Sequence, residues 1–155
     1  MKPFPKIPNA ELYLCGGCVR DTLLNKEPKD RDFVIITPMT FSETVEAIEK
    51  IPNAKVFLAK PEFLTIRCII DGEPIDIAFP RSDGTYSDNR RPDSVSLVGN
   101  LQEDASRRDF TINSMYMSEE GTVIDYFDGR KDLELGIIRC VHNPEERFQE
   151  DALRM

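Results

Sequence analysis

Residues 12–36 read LYLCGGCVRDTLLNKEPKDRDFVII, and the apolar and glycine pattern of this stretch decides the fold. Its first four residues are apolar and predict a short buried strand that ends at a pair of glycines. Residues 19–25 carry apolar side chains on one helical face, and residues 32–36 predict a second strand. The segment is therefore expected to form a strand, a glycine turn, a helix and a second strand.

The rest of the sequence predicts a mixed sheet flanked by helices, which is an α/β fold of the α+β kind. Helical patterns occur over residues 41–51, 101–107 and 131–135, and strand patterns over 55–58, 63–70, 74–79, 115–117, 122–126 and 137–141. Residues 81–93 are polar and predict a long mobile loop. Pro144 predicts the first turn of a last helix over residues 144–155.

Composition and charge limit the classes of protein to which the chain can belong. Its 155 residues, 40% of them hydrophobic, suit one domain with its own core. Neither a membrane-spanning run nor an apolar signal segment is evident, so we expect a cytoplasmic location and no membrane partner. The net charge of −8 predicts weak RNA binding by this chain alone, because domains that grip nucleic acid usually carry a basic face.

The four cysteines allow two interpretations. Cys15 and Cys18 have a C-x-x-C spacing, but a structural zinc site needs a second pair of ligands nearby. Cys68 and Cys140 are isolated in the sequence, and His142 is its one histidine. The pattern favours small buried thiols over zinc or redox chemistry.

Two motifs in the opening stretch fit phosphate and metal binding. Gly16 and Gly17 stand where a strand meets a helix, and glycine lets a backbone approach a phosphate closely. Asp30 and Asp32 would share one face if both lay on a strand, and Mg²⁺ prefers such carboxylate oxygens. The alternatives are an ordinary strand–helix turn and a solvated start of a strand.

Three further motifs supply charged side chains. Asp76, between two isoleucines, fits either the polar face of an edge strand or a third carboxylate in a two-metal site. Arg107 and Arg108 are suited to phosphate oxygens, with the alternative of a charged helix end at the surface. Asp109 and Asn113 would then bond sugar hydroxyls. Asp151 and Arg154, three residues apart, would share a helix face and either form a surface ion pair or recognise the edge of a nucleobase.

The motifs together resemble a known family. They occur in the order Gly16-Gly17-x-Val19-Arg20-Asp21, Asp30-x-Asp32, Arg107-Arg108-Asp109-Phe110-Thr111-Ile112-Asn113, Gly129-x-x-Asp132-Leu133 and Glu150-Asp151-x-x-Arg154. This order resembles the class II (bacterial-type) tRNA CCA-adding enzymes and the related bacterial poly(A) polymerases, which belong to the polymerase-beta-like nucleotidyltransferases. The resemblance runs from about residue 12 to residue 155.

The resemblance implies a fold, a reaction and roles for named residues. It implies a polymerase-beta-like head that transfers a nucleotide from CTP or ATP to the 3′ end of tRNA with two Mg²⁺ ions. The implied roles are metal binding by Asp30 and Asp32, with Asp76 as a third carboxylate; triphosphate contact by Gly16, Gly17 and Arg20; ribose recognition by Arg108 and Asp109; and base templating by Asp151 and Arg154. Residues 125–133 would form a hinge, and the loop over residues 81–93 would help to switch specificity from C to A.

The resemblance also sets the expected domain limits and the alternatives. Residues 1–143 would form the catalytic head, and residues 144–155 would begin a neck whose remainder, with the body and tail, lies outside this sequence. The chain would then be a fragment, a reduced protein, or one half of a split enzyme whose partner chain holds the tRNA. CC-only, A-only and poly(A) addition stay open beside CCA addition. So does a non-enzymatic nucleotide-binding head, whereas a toxin–antitoxin-type transferase would lack the hinge and base-reading motifs.

Overall fold

The computed structural model describes residues 2–83, 95–97 and 99–142. Its strands are β1 (Glu11–Cys15), β2 (Arg31–Ile36), β3 (Ala54–Lys60), β4 (Thr65–Ile70), β5 (Glu73–Ala78), β6 (Arg81–Asp83), β7 (Val95–Leu97), β8 (Met115–Met117) and β9 (Val123–Asp125). Its α-helices are α1 (Gly17–Leu23), α2 (Phe41–Glu49), α3 (Leu101–Ser106) and α4 (Gly129–Leu135), with a 3-10 turn at Thr111–Asn113.

The described strands form one large sheet and one small ribbon. The large sheet has seven strands in the order β3-β4-β5-β2-β1-β8-β9, and β6 pairs with β7 in the ribbon. The pair β2–β5 is parallel, whereas the other pairs of the large sheet are antiparallel. The predicted mixed sheet flanked by helices is therefore confirmed, and β5 lies inside the sheet between β4 and β2.

One face of the large sheet packs in the main core, which includes Phe33, Ile66 and Ile77, and the other face borders a second cluster that includes Val34 and Tyr116. On β4, the side chains alternate between buried Ile66, Cys68 and Ile70 and the more open Thr65, Arg67 and Ile69. Helix α2 covers the buried face with Ile48, and its first turn is fixed by a capping box in which Thr40 and Glu43 bond each other's backbone N–H groups. The cleft lies over the other, more open face of the central strands.

Two predicted elements differ from the structure. The strand predicted over residues 137–141 is wrong, because this segment makes a single bridge, between Cys140 and Phe110. Its backbone bonds there go to Asp109 and to Thr111, where the 3-10 turn begins, and that turn cannot continue a ladder. The loop predicted over residues 81–93 begins too early, because Arg81–Asp83 is a strand paired with Val95–Leu97. A polar composition does not reveal that pairing.

Two other predictions lie outside the described residues. The rest of the predicted loop, residues 84–93, is one of them, and the helix expected over residues 144–155 is the other. The domain limits at residue 143 stay a prediction for the same reason. None of the helices in the described part of the chain is long and apolar enough to cross a membrane.

Candidate functional site

A cleft of about 1110 Å³ opens over the open face of the central strands. One side of it is lined by Gly16, Gly17, Arg20, Arg107, Arg108, Asp109 and Asn113. The other side is lined mainly by residues of β3, β4 and β5 and of the connections that follow β3 and β5, including Leu58, Lys60, Phe63, Thr65, Arg67 and Arg81. The carboxylates of Asp32 and Asp76 lie between the two sides, on β2 and β5. The cleft thus brings most of the predicted site residues together.

The two carboxylates are direct neighbours across the parallel strand pair. Asp32 on β2 is in register with Asp76 on β5. Because β5 is flanked by strands on both sides, the interpretation of Asp76 as part of an edge strand is wrong. Asp30 lies immediately before β2, so of the two aspartates that were expected on one strand only Asp32 is part of it. Asp30 flanks the cleft rather than lining it.

Desolvation and neighbouring negative charge mark Asp32 as the centre of the site. Its side chain is open to the cleft, yet the surrounding walls desolvate its carboxylate, which is the largest cause of a raised pKa. The nearby charges of Asp76 and Asp30 raise the pKa further and outweigh the opposing effect of Arg108 and Arg67, so that it reaches about 6. A bound cation would remove this repulsion, because it favours the ionised carboxylates.

The donor set fits a divalent metal that binds together with a substrate. Within residues 2–83, 95–97 and 99–142, no group of three or more Asp, Glu, His or Cys side chains is arranged to hold a metal ion. Two neighbouring carboxylates nevertheless suit Mg²⁺, which commonly takes one or two carboxylates and completes its shell with substrate phosphates and water. In the structure Arg67 neutralises Asp76 through Nε–Oδ1 and Nη2–Oδ2 hydrogen bonds of 2.6 and 3.0 Å.

The glycine turn brings the backbone close to two arginines. Gly16 has a φ of +65°, which L side chains rarely adopt, and a Cβ there would lie 3.5 Å from Nη1 of Arg108. The Arg20 guanidinium lies over Gly17, where a Cβ would be 3.3 Å from its Nη2. Arg20 donates to the amide oxygen of Asn113 at 2.9 Å, so Asn113 helps to position an arginine. Its predicted bond to a sugar hydroxyl stays a prediction.

A buried aspartate that sequence reasoning missed holds the other two arginines. Asp104 on α3 has no exposed surface, and it accepts hydrogen bonds from Nε of Arg107 and Nη2 of Arg108, both at 3.1 Å. It also accepts from the Tyr116 hydroxyl at 2.6 Å and from the backbone N–H of Arg81 at 3.0 Å. The arginines do stand at the end of α3 in a charge pair, as the alternative interpretation had it, but the pair is mostly buried rather than at the surface. Their side chains are 16% and 17% exposed.

The same network lowers the pKa of Asp104. Burial alone would raise the pKa, but the charges of Arg108 and Arg107 and the hydrogen bonds from Tyr116 and the Arg81 backbone lower it to about 2. The guanidinium of Arg108 also stacks on the ring of Tyr116, 5.5 Å from its centroid. One sequence signal was available, because Asp104 stands three and four residues before the arginines, the spacing of neighbours on a helix.

The cysteines support the segment that carries the first carboxylates. The thiol of Cys18 donates to the Asp30 carbonyl at 2.9 Å, and its sulfur accepts the Asp32 N–H at 3.3 Å. Burial raises the pKa of Cys15 to about 12 and that of Cys18 to about 11, so both stay protonated thiols. The interpretation of these residues as buried thiols is confirmed, since both are free and buried.

Three predicted site residues remain to be located. The carboxylate of Asp109 lines the cleft and accepts the N–H of Phe110 at 2.6 Å, so its role with a ribose stays a prediction. Asp151 and Arg154 lie outside the described residues. Recognition of the base by these two residues therefore also stays a prediction.

Comparison with known proteins identifies the kind of domain. The architecture is that of a polymerase-beta-like nucleotidyltransferase head, as predicted. The chain belongs to the family described as the poly(A) polymerase head domain, whose family model matches residues 12–139. The predicted family is therefore confirmed.

Similar proteins are CCA-adding enzymes. The CCA-adding enzyme of Ligilactobacillus salivarius is 46% identical over 145 residues, which cover 94% of this chain and 34% of that protein. The CCA-adding enzyme of Bacillus stearothermophilus, solved in complex with CTP, superimposes with a TM-score of 0.77 at 35% identity, over 94% of this chain and 33% of that one. The Thermotoga maritima enzyme complexed with tRNA gives a TM-score of 0.70 at 30% identity, over 94% and 32%. The chain thus spans about a third of the length of these relatives.

Proposed function

We propose that this domain transfers a nucleoside monophosphate from CTP or ATP to the 3′ hydroxyl of an RNA, with CCA addition to tRNA as the specific reaction. The observation that carries the proposal is the order of charges in one cleft. Asp32 and Asp76 lie in register on two central strands, and Arg20, Arg107 and Arg108 lie to one side of them. A triphosphate bound by the arginines would place its α-phosphate near the carboxylates.

Metal ions complete this proposal. Nucleotidyltransferases of the CCA-adding kind are generally metal-dependent. We infer that Asp30, Asp32 and Asp76 hold two Mg²⁺ ions together with the triphosphate, since the donors are the carboxylate oxygens that this ion prefers. When bound, the metal would stabilise charge on the phosphates and favour ionisation of the attacking hydroxyl.

The protein's own groups bind and orient the reactants. The guanidinium groups of Arg20 and Arg108 are suited to the triphosphate oxygens, and the buried partners of Arg108 fix its direction before substrate arrives. Asp109 would accept a hydrogen bond from a ribose hydroxyl. A bond forms between the 3′ oxygen of the RNA and the α-phosphorus, the bond to the β-phosphate oxygen breaks, and pyrophosphate leaves. The hydroxyl proton passes to solvent or a carboxylate, so no side-chain nucleophile is needed.

The names of solved relatives support the choice of substrates. One is a CCA-adding enzyme in complex with CTP, and another is a tRNA nucleotidyltransferase complexed with a primer tRNA and an incoming ATP analogue. The second covers 94% of this chain at 35% identity, with a TM-score of 0.69. We extend CTP, ATP and tRNA from these proteins to this chain, with base selection by Asp151 and Arg154.

A second candidate function is a head that binds the nucleotide and depends on other segments for transfer. Two observations favour it: the chain spans about a third of its relatives, and its net charge of −8 opposes extensive contact with RNA. In that case the metal and CTP would bind normally, and transfer would require a neck, body and tail supplied by a longer protein or a partner chain.

The deciding experiment measures incorporation and binding in parallel. Labelled CTP or ATP, Mg²⁺ and tRNA lacking its CCA end are incubated with the chain, and the CTP affinity is measured by calorimetry. Incorporation of C and then A that is lost in Asp30→Ala and Asp32→Ala supports CCA addition. The matched control is Glu46→Ala, which removes an exposed carboxylate from the helix on the opposite face of the sheet and should leave incorporation intact.

Each remaining outcome has a defined meaning. Long A tracts made without CTP would indicate poly(A) synthesis, and addition of C or A alone would indicate a narrower specificity. Metal-dependent CTP binding without incorporation would favour the nucleotide-binding head. Absence of both incorporation and metal-dependent CTP binding would overturn the proposed function.

A further inference from the structure

A β-bulge on the edge strand β3 re-aims two side chains into the cleft. Val56 is in register with Cys68, whereas Leu58 is in register with Arg67, so one extra residue is inserted between them on β3. Val56 packs against the main core, and an unbroken strand would place Leu58 and Lys60 on the same face as Val56. The shift instead gives Leu58 the register of Arg67 and Lys60 that of Thr65, and all four residues line the cleft.

The re-aimed residues continue a row that contains the carboxylates. Leu58, Arg67, Asp76 and Asp32 are register partners in turn across four neighbouring strands. The row therefore leads from the carboxylates on β2 and β5 to an apolar residue on β3, whose side chain is 43% exposed. Phe63, in the turn between β3 and β4, lines the same end of the cleft. We call Leu58, Lys60, Phe63 and Arg67 the acceptor shelf.

The acceptor shelf carries two cationic side chains that an anion can reach. Arg67 is 53% exposed and uses Nε and Nη2 for Asp76. Its Nη1 has no hydrogen-bond acceptor among the described residues and remains available to a phosphate oxygen. Lys60 adds an ammonium group on the same face of the sheet, two residues beyond Leu58. A phosphate beside an apolar surface is the chemistry of a nucleotide in a single strand.

The order of strands determines which reactant the acceptor shelf would meet. Arg108 lies over Tyr116 of β8, and Arg20 is on the helix that follows β1. The carboxylates lie on β2 and β5, and the acceptor shelf lies at β3 and β4 and in the turn between them. In phosphoryl transfer the attacking and leaving oxygens lie roughly in line on opposite sides of the phosphorus. If pyrophosphate leaves toward the arginines, the attacking hydroxyl arrives from the side of the acceptor shelf.

We propose that the acceptor shelf binds the 3′-terminal nucleotide of a single-stranded RNA, with its base against Leu58 and Phe63 and its phosphate beside Lys60 and Arg67. This assignment rests on the proposed function and names the site at which that function takes its acceptor. The row of register partners then places the terminal hydroxyl at the carboxylates. The local cationic charge offsets the acidic character of the whole chain where RNA must approach.

Photocrosslinking tests the location of the acceptor directly. The probe is a short single-stranded RNA whose 3′-terminal base is 4-thiouracil, irradiated with the chain, Mg²⁺ and a non-hydrolysable CTP analogue. The proposal requires crosslinks within residues 57–67, mapped by mass spectrometry. Crosslinks confined to the side of the cleft that carries Arg20, Arg107 and Arg108, or no specific crosslinking at RNA concentrations up to millimolar, would overturn it.

Binding of the same RNA to substituted chains tests the charges. We expect Lys60→Gln and Arg67→Gln each to weaken binding about threefold to tenfold, the effect of losing one charged contact to a phosphate. Arg67→Lys should retain more affinity than Arg67→Gln. The matched control is Lys55→Gln, a lysine on β3 before the bulge that lies outside the cleft. Equal weakening by Lys55→Gln and Lys60→Gln would mean general electrostatic attraction and would overturn the acceptor shelf.

CTP affinity separates this proposal from the proposed function. Calorimetry should give the same CTP affinity for the unmodified chain and for Lys55→Gln, which lies outside the cleft. If the unmodified chain does not bind CTP with Mg²⁺, the proposed function fails. If CTP binds and the RNA affinity is unchanged in both Lys60→Gln and Arg67→Gln, the acceptor shelf alone fails.

Discussion

Aspartate–arginine pairs occur at two places around the cleft, but the two are built differently. Asp104 is fully buried and serves Arg107, Arg108 and Tyr116 at once. Asp76 and Arg67 are 40% and 53% exposed and have each other as the main partner. The same ionic groups therefore make a rigid support on one side, and on the other a pair that water and substrate can separate.

This difference matches the tasks that we propose for the two sides. A triphosphate site gains from arginines that are fixed before the nucleotide arrives, since no reorganisation is then needed during transfer. An acceptor site near the metal must exchange partners. Asp76 is a proposed metal ligand, and in this structure its charge is neutralised by the Arg67 guanidinium. The comparison predicts effects on stability and on binding that differ sharply between the two sides.

The largest effect is expected for Asp104→Asn. Removing one member of a buried ion pair leaves the others uncompensated, so the free energy of unfolding should fall by about 3 kcal/mol or more. Chemical denaturation of the two chains would measure the change. A loss below about 1 kcal/mol would show that Arg107 and Arg108 find water or other partners, and the distinction between the two sides would no longer hold.

The next largest effect is a loss of stability in acid, which occurs because Asp104 becomes protonated. Its pKa in the folded chain is about 2, below the ordinary value of 3.8, so the folded state favours the ionised form. The stabilisation is complete above the ordinary pKa and is lost as the pH falls from about 4 to about 2, with a total of about 2 kcal/mol. Unfolding measured between pH 5 and pH 2 should show a shallower loss in Asp104→Asn than in the unmodified chain. Parallel curves would contradict the assignment of this titration to Asp104.

A smaller effect is expected for Tyr116→Phe. This change removes the 2.6 Å hydrogen bond to Asp104 and the 3.3 Å hydrogen bond that the hydroxyl accepts from Nε of Arg108, and it retains the ring that stacks on Arg108. Since both charged groups keep other partners, the free energy of unfolding should fall by about 1–2 kcal/mol. CTP affinity measured on the same protein should fall about threefold if Arg108 loses its direction, as expected when one support of a preorganised group is removed. Unchanged affinity would separate the stability of the network from its role in positioning.

The central part of this molecule could be predicted from the sequence, but the strand pairings that shape the cleft could not. The glycine turn, the strand after it and the motif from Arg107 to Asn113 carried enough local signal to predict the cleft and its family. Two features were not visible in one sequence, because they depend on how strands are paired. They are the register of Asp32 with Asp76 and the bulge that turns Leu58 toward the cleft.

The wrongly predicted strand and the missed role of Asp104 have the same cause. Residues 137–141 have the composition of a strand, yet they make one bridge, to Phe110, after which the chain enters a 3-10 turn. Asp104 was overlooked because an acidic residue on a short helix is ordinarily exposed, and its burial follows from Tyr116 and Arg81, which are distant in the chain. Contacts between distant segments therefore could not be predicted from a single sequence.

The smallest effect on stability is expected for Arg67→Gln. Its ion pair with Asp76 is exposed, so solvent screens it, and the free energy of unfolding should change by no more than about 0.5 kcal/mol. Denaturation under the conditions used for Asp104→Asn makes the comparison direct. A change as large as that of Asp104→Asn would mean that Arg67 is a structural support. Stability that is preserved while RNA affinity falls would instead show that the arginine of the exposed pair serves the substrate, because the folded state then does not depend on it.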